Sequence, residues 1–246
     1  MKQNKWHLLS NERIAERVWK MVLTGDVSGI VPGQFVELLV PGHYLRRPIS
    51  VCDVDGDRLT LIYKTVGQGT VIMSQMRPDE KLDLLTCLGN GYDMSKAEDE
   101  VLLIGGGVGV PPLIYLAKKL REGGKKVHVV IGFNTKSEVF SEEMFLNLGC
   151  GVDVCTIDGS YGKHGVVTDV LKKSAPYYFA CGPMPMLRAI VQTIGTKGQM
   201  SMEERMGCGV GICMGCSIET RDGMKRVCRE GPVFDAESLM FDEGTT

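Results

Sequence analysis

Between Met202 and Thr220 the chain reads MEERMGCGVGICMGCSIET, which puts Cys208, Cys213 and Cys216 within nine residues, and Cys228 follows. Thiolates are soft ligands, and four of them together suit zinc or an iron–sulfur cluster. Structural zinc usually takes two paired units of closely spaced cysteines. Here the spacing is C-x4-C-x2-C-x11-C, so three thiols share one glycine-rich loop and only the fourth is remote. That opening is the spacing of plant-type [2Fe–2S] sites. Gly207, Gly209, Gly211 and Gly215 would let the loop wrap a cluster and turn backbone N–H groups towards its sulfurs. The last gap is much shorter than in plant-type ferredoxins, so this is not a ferredoxin domain carried over whole. The spacing favours [2Fe–2S], with zinc left as the alternative.

Two glycine turns carry a second chemistry. LLIGGGVGVPPL places Gly105, Gly106, Gly107 and Gly109 between a strand-like and a helix-like run. Glycines there let the backbone approach a phosphate, and a helix start offers free N–H donors. Pro111 and Pro112 fit a first helical turn. The third glycine of the dinucleotide fingerprint is missing, so a tight turn with no ligand is the competing reading. The second place is FACGPM, where Cys181, Gly182 and Pro183 end an apolar strand, at the edge where open α/β sheets bind ligands. Cys181 is the one candidate for a residue near the reacting groups. A buried structural thiol is its simpler reading, as for Cys52, Cys87, Cys150 and Cys155. His7, His43, His128 and His164 form no ligand spacing.

The elements that must position these residues fall into three regions. Residues 1–97 read as short strands with Gly, Pro and Asp punctuation, and DVDGDR joins Ile49–Val54 to Leu59–Lys64 as a hairpin. They imply a small antiparallel barrel or sandwich. Over 98–200, strand and helix alternate, which implies a parallel sheet covered on both faces. Helices are expected over VPPLIYLAKKLREGG, EEMFLNLG, VVTDVLKKS and MPMLRAIVQTIG. Residues 201–246 form a separate cysteine-bearing tail.

Bulk properties exclude other classes. With 246 residues and 43% hydrophobic content the chain supports two domains and a small module. A net charge of −2 without a basic run gives no footprint for nucleic acid. The charge-interrupted N-terminus lacks the apolar core of a secretion signal, and glycine and proline break the longest apolar run. A cytoplasmic protein with reduced thiols is the expectation.

RRPISVCD, GGGVG and CGP in this order make the chain resemble the ferredoxin–NADP reductase superfamily, which pairs a flavin-binding barrel with a nicotinamide-binding α/β domain. The resemblance implies FAD contacts at Arg47, Pro48, Ile49 and Ser50, with Arg47 on the diphosphate and Ser50 near the isoalloxazine. It implies further FAD contacts at Ile62, Tyr63 and Lys64 and at Gly69 and Thr70, where Thr70 starts a helix facing the diphosphate. NAD would lie on Gly105, Gly106, Gly107, Gly109, Cys181, Gly182 and Pro183. NAD against NADP is not decided by the residues, since GFNTKSEVF starts without an acidic residue for a ribose hydroxyl.

The tail, EERMGCGVGICMGC followed by VCREGPVFDAESL, resembles that of the electron-transfer subunits of NAD-dependent, B-type dihydroorotate dehydrogenases. This implies [2Fe–2S] ligands at Cys208, Cys213, Cys216 and Cys228. It also implies an FMN-containing partner that oxidises dihydroorotate, a heterotetrameric assembly and a place in pyrimidine synthesis. No acid–base pair suited to dihydroorotate itself stands out in this chain. The competing group is the small flavin subunits of ferredoxin–NAD(P) oxidoreductase and sulfide dehydrogenase complexes. Many of those resemble D-x4-C-x2-C, with aspartate where this chain has Cys208.

Overall fold

The computed structural model describes residues 1–172 and 174–241. The first region closes into a barrel of six antiparallel strands: β1 (Lys2–Ala15), β2 (Val18–Thr24), β3 (Phe35–Leu38), β4 (Arg47–Asp55), β5 (Arg58–Lys64) and β6 (Lys81–Leu88), in the order β1-β2-β5-β4-β3-β6. Helix α1 (Gln68–Gln75) lies between β5 and β6. Alternation builds the barrel core: in β6, Leu82, Leu84 and Thr86 point inward while their neighbours are more exposed, and Leu88 joins Phe35 in a second core outside the barrel. The longest strand, β1, was not foreseen. Trp6 and Leu8 bury themselves between Lys5, His7 and Leu9, but charged and amide residues on the solvent face hide the short alternating stretch.

The second region contributes β7 (Glu100–Gly106), α2 (Pro112–Glu122), β8 (Lys126–Phe133), α3 (Glu142–Asn147), β9 (Gly151–Thr156), β10 (Lys163–His164), β11 (Tyr178–Cys181), α4 (Met184–Ile194) and β12 (Gly198–Ser201). The tail adds a hairpin, β13 (Ser217–Thr220) and β14 (Gly223–Arg226), and a last strand, β15 (Val233–Asp235). The large sheet runs β10-β9-β8-β7-β11-β12-β15, parallel except for β15. Chain order reverses at β7, so the crevice above the carboxyl ends of β7 and β11 is the switch point where such sheets take ligands.

One expectation needs correction. The helix expected over VVTDVLKKS is only a 3-10 turn, Val167–Val170. The Asp169 carboxylate accepts the Val166 N–H at 2.8 Å, and three β-branched residues in a row, Val166 to Thr168, disfavour a longer helix. Val167 instead packs against the sheet at Gly132, where a Cβ would come within 2.7 Å of it. The tail also returns to the parallel sheet: β15 pairs with β12 through Gln199–Asp235, Met200–Phe234 and Ser201–Val233. Lys173 of the expected helix and residues 242–246 of the expected tail lie outside the described residues.

Helix α2 joins barrel to sheet. Val18, Cys52 and Ile62 of the barrel share a core with Leu113, Ile114 and Ala117, while Tyr115 enters the barrel's own core. Lys118 pairs with Asp53 at 3.3 Å and donates to the Val54 carbonyl at 2.9 Å. The barrel and the sheet therefore share packed apolar surface, which fixes the crevice between them.

Candidate functional site

Three sites sit side by side along this junction. The first is a groove of about 730 Å³ bordered by Arg17, Thr65, Val66, Gly67 and Gln68, at the start of α1. The first helical bond runs from the Val71 N–H to the Gly67 carbonyl at 3.0 Å, so the N–H groups of Gln68, Gly69 and Thr70 are free for an anion. Arg47 lies over this turn: a Cβ on Gly69 would come within 2.2 Å of its Nε. Only glycine lets the guanidinium reach that place. The helix begins at Gln68, two residues before the expected Thr70. Thr70 turns its hydroxyl back, accepting the Val66 and Gly67 N–H groups at 2.9 and 3.2 Å, and so caps the turn.

The other expected flavin residues divide. Pro48 and Ser50 lie opposite Glu37 and Phe35 of β3, and cross-strand partners share a face. Ile49 packs towards the barrel core. Ile62 belongs to the core shared with α2. Tyr63 is 2% exposed and donates from its hydroxyl to Asn11 at 2.9 Å. Both side chains are committed to packing, so strand β5 offers a ligand its backbone and Lys64.

Lys64 turns to the second site, a cavity of about 470 Å³ at the switch point. Gly107 opens into it with φ of +51° and no atom within 4 Å of where its Cβ would be. Its glycine neighbours serve packing. A Cβ on Gly105 would meet Val110 at 2.9 Å, one on Gly106 the Met186 sulfur at 2.5 Å, and one on Gly109 the Cys181 carbonyl oxygen at 2.4 Å. The two glycine-bearing segments recognised in the sequence are thus pressed together. Gly105 and Gly106 finish β7, and Gly107–Gly109 make the turn. Gly182 and Pro183 line the cavity. Cys181 sits opposite Gly105 in the ladder, and burial pushes its thiol up to about 12. Sequence reasoning missed Glu203, Met186 and Asn134, which line the same cavity but belong to no motif.

It also missed a latch. Lys64 of the barrel pairs with Glu138 at 2.7 Å, and Glu138 accepts from the Asn134 side chain at 2.7 Å. Beside it, the Glu16 N–H donates to the Ser137 carbonyl at 3.0 Å. The Lys64 ammonium holds the Glu138 carboxyl below its ordinary value of 4.5, against the opposing effect of burial. The sign follows: a carboxyl depressed on folding stabilises above its unfolded value and loses that stabilisation as pH falls through the folded one. Lys64→Met should therefore cost about 1 kcal/mol near neutrality. The gap from the parent, read from urea midpoints, should close as pH drops below 4.5. A gap that stays constant into acid would exclude the ion pair as its source.

The third site is the cysteine loop. Burial alone would push the Cys208 thiol up, but the N–H groups of Cys213, Val210 and Ile212 point at its sulfur and bring it down to about 6. The Ile212 and Cys213 contacts measure 3.3 and 3.4 Å. Cys216 and Cys228 are both 2% exposed, and the Cys228 N–H reaches the Cys216 sulfur at 3.4 Å. Burial, with Cys216 alongside, pushes the Cys228 thiol up to about 12. The thiols thus stand as two pairs, Cys208 with Cys213 and Cys216 with Cys228. Among the described residues, no three His, Cys, Asp or Glu side chains gather closely enough for one metal ion. Two pairs of thiols are what a [2Fe–2S] cluster would need, one pair for each iron. Arg226 supports the loop, donating to the Gly211 carbonyl at 2.6 Å while its guanidinium pairs with Glu230.

Comparison with known proteins agrees with this arrangement. Residues 203–240 match the iron–sulfur cluster binding domain of dihydroorotate dehydrogenase B. A solved structure of an NADH-dependent reduced ferredoxin-NADP oxidoreductase is similar at 29% identity and a TM-score of 0.86, covering 97% of this chain and 90% of that one. A ferredoxin NADP+ reductase from Neisseria gonorrhoeae shares the fold at 13% identity and a TM-score of 0.69, over 83% of this chain and 95% of that one. The electron transfer subunits of dihydroorotate dehydrogenase B (NAD(+)) from Fusobacterium nucleatum and Bacillus pumilus are each 42% identical. They cover 94% and 97% of this chain and 96% and 98% of their own. A likeness of that depth over almost the whole length means that the chain belongs to the family of dihydroorotate dehydrogenase B (NAD(+)) electron transfer subunits.

Proposed function

We propose that this subunit carries electrons from an FMN-containing catalytic partner, which oxidises dihydroorotate, to NAD⁺, within a cytoplasmic heterotetramer serving pyrimidine synthesis. The observation that carries the reading is the two-pair thiol loop, whose Gly209 packs against Glu37, the cross-strand neighbour of Pro48. Cys208, Cys213, Cys216 and Cys228 would hold a [2Fe–2S] cluster, and the N–H groups aimed at Cys208 favour its thiolate form. Arg47 and the first turn of α1 would hold the FAD diphosphate, with Pro48 and Ser50 along the ring system. Gly107, Gly182 and Pro183 would shape the nicotinamide site. A bound flavin supplies both hydride and single-electron exchange, the combination needed between a nicotinamide and an iron–sulfur centre.

The division into a flavin barrel over 1–97, a nicotinamide domain over 98–200 and a cluster module over 201–246 belongs to the same proposal. The apolar exposure of the tail supports a partner at the cluster end. Ile212 is 79% exposed and Met214 54%, both within the ligand loop, and clustered apolar surface marks interaction sites. No helix among the described residues is long and apolar enough to cross a membrane.

The test is reconstitution. The chain, purified anaerobically and analysed for iron, sulfide and flavin, is combined with an FMN-containing dihydroorotate-oxidising subunit. NAD-linked dihydroorotate oxidation by the pair, and not by this chain alone, is the expected result. A pair that forms, carries all cofactors and still reduces only ferredoxin or sulfur species would overturn the substrate assignment.

A further inference from the structure

Strand β3 alternates as a barrel strand should. Val36 and Leu38 enter the barrel core, while Phe35 and Glu37 face outward. Outward here does not mean solvent. Phe35 packs in the core that contains Cys216, Val227 and Cys228, and Glu37 is 2% exposed. A carboxylate almost fully withdrawn from water needs a partner, yet Glu37 Oε1 is buried without one. Its neighbour is the ligand loop: a Cβ on Gly209 would come within 2.3 Å of that same oxygen. Gly209 follows Cys208 directly and holds a φ of +65°. On the other side, Glu37 stands opposite Pro48 in the ladder, on the face that carries the flavin strand. The unpartnered oxygen therefore lies between the strand read as flavin-binding and the loop read as cluster-binding.

The cations nearby are committed elsewhere. Arg46 pairs with Asp83 at 2.6 Å and gives Glu37 only a contact to its backbone carbonyl, at 3.3 Å. Arg47 donates to the Leu45 carbonyl at 2.6 Å and lies over Gly69. A carboxyl this deeply buried, with no cation on its oxygens, is held neutral by the cost of withdrawing its charge from water. A neutral carboxyl has one O–H to donate, and sulfur is the acceptor the loop would present.

We propose that Glu37 is a positioning residue for the cluster, a neutral carboxyl that donates a hydrogen bond to sulfur at the Cys208 end of the ligand loop and so eases electron entry from the partner. Such a donor favours the reduced cluster, whose charge is more negative, and hydrogen bonds to sulfur are a recognised control of cluster potential. The inference rests on the assignment of the four cysteines as ligands.

The experiment compares the loaded full-length protein with Glu37→Leu and Glu37→Gln. Iron and sulfide content are measured first, then the cluster midpoint by titration under electron paramagnetic resonance. Leucine removes the donor at similar volume, and the midpoint should fall. The equilibrium constant for passing an electron from a given donor into the cluster should drop about tenfold, which is ~59 mV for one electron. Glutamine keeps an uncharged donor and should stay within about twofold of the parent. An unchanged midpoint in Glu37→Leu overturns the proposal, and a raised midpoint in Glu37→Gln overturns it by showing an ionised carboxylate. Should Glu37→Leu not fold, infrared difference spectra of the parent decide. A protonated-carboxyl band that shifts on cluster reduction and is missing in Glu37→Gln supports the donor, and its absence refutes it. A parent without iron and sulfide after reconstitution removes the ligand assignment itself, and the proposal with it, a failure read from the metal analysis alone.

Discussion

Cys228→Ser is expected to bleach the iron–sulfur absorption while FAD stays bound. Cys228 is the remote member of the quartet, 2% exposed and linked by its N–H to the Cys216 sulfur. On the proposed assignment, replacing its thiol would remove one of the four thiolates that hold the cluster, and a serine hydroxyl is a poor donor where soft thiolates are required. Losing even a supporting partner of a metal site costs roughly 10- to 100-fold. Loss of a direct ligand should therefore cut electron delivery between flavin and partner by at least about 100-fold. The groove proposed for the flavin is bordered by Arg17 and the start of α1, so flavin content and NADH-driven flavin reduction should persist. The measurement is an anaerobic visible spectrum with iron, sulfide and flavin analysis. Retained cluster absorption would remove Cys228 from the ligand set, and a colourless parent holding one zinc would favour the zinc alternative.

The same residue shows what was legible in the sequence and what was not. C-x4-C-x2-C is a local signal, because three ligands on one loop need only their own spacing to be recognised. The glycines of β7 and the apolar spacing of α2 are local too, and the strand, turn and helix stand close to where the residues put them. Contacts made over distance were hidden. Glu37 reads as an ordinary acidic interruption in QFVELL, and only closure of the barrel under the tail shows that it faces Gly209. Lys64 belongs to a strand motif, but its partner Glu138 lies 74 residues on. Thr70 was read as the helix start because the motif ends there, whereas its hydroxyl reaches back to cap Val66 and Gly67. The return of the tail as β15 depends on an open edge at β12, which no local pattern announces.

Gly109→Ala is expected to disable the nicotinamide site and spare the other two. The obstacle is space, since a Cβ there would come within 2.4 Å of the Cys181 carbonyl oxygen and 2.5 Å of the Gly182 Cα. These are backbone atoms of the strand and turn that form the opposite wall of the cavity, so no side chain can rotate aside. Overpacking of this kind costs about 1–3 kcal/mol, and the relief available is to part the turn from Gly182. A displacement near 1 Å at a site that aligns hydride transfer costs about 100-fold in rate. NADH-driven flavin reduction should fall by roughly that factor, whereas photochemical reduction of the flavin and the cluster spectrum should match the parent. Gly107→Ala provides the contrast, because nothing lies within 4 Å of its Cβ position and its φ of +51° is the sole difficulty. It should cost only about 1 kcal/mol of strain and a smaller loss of NADH activity. Equal loss in the two variants would show that the left-handed turn, and not the pressing of β7 against β11, shapes the site.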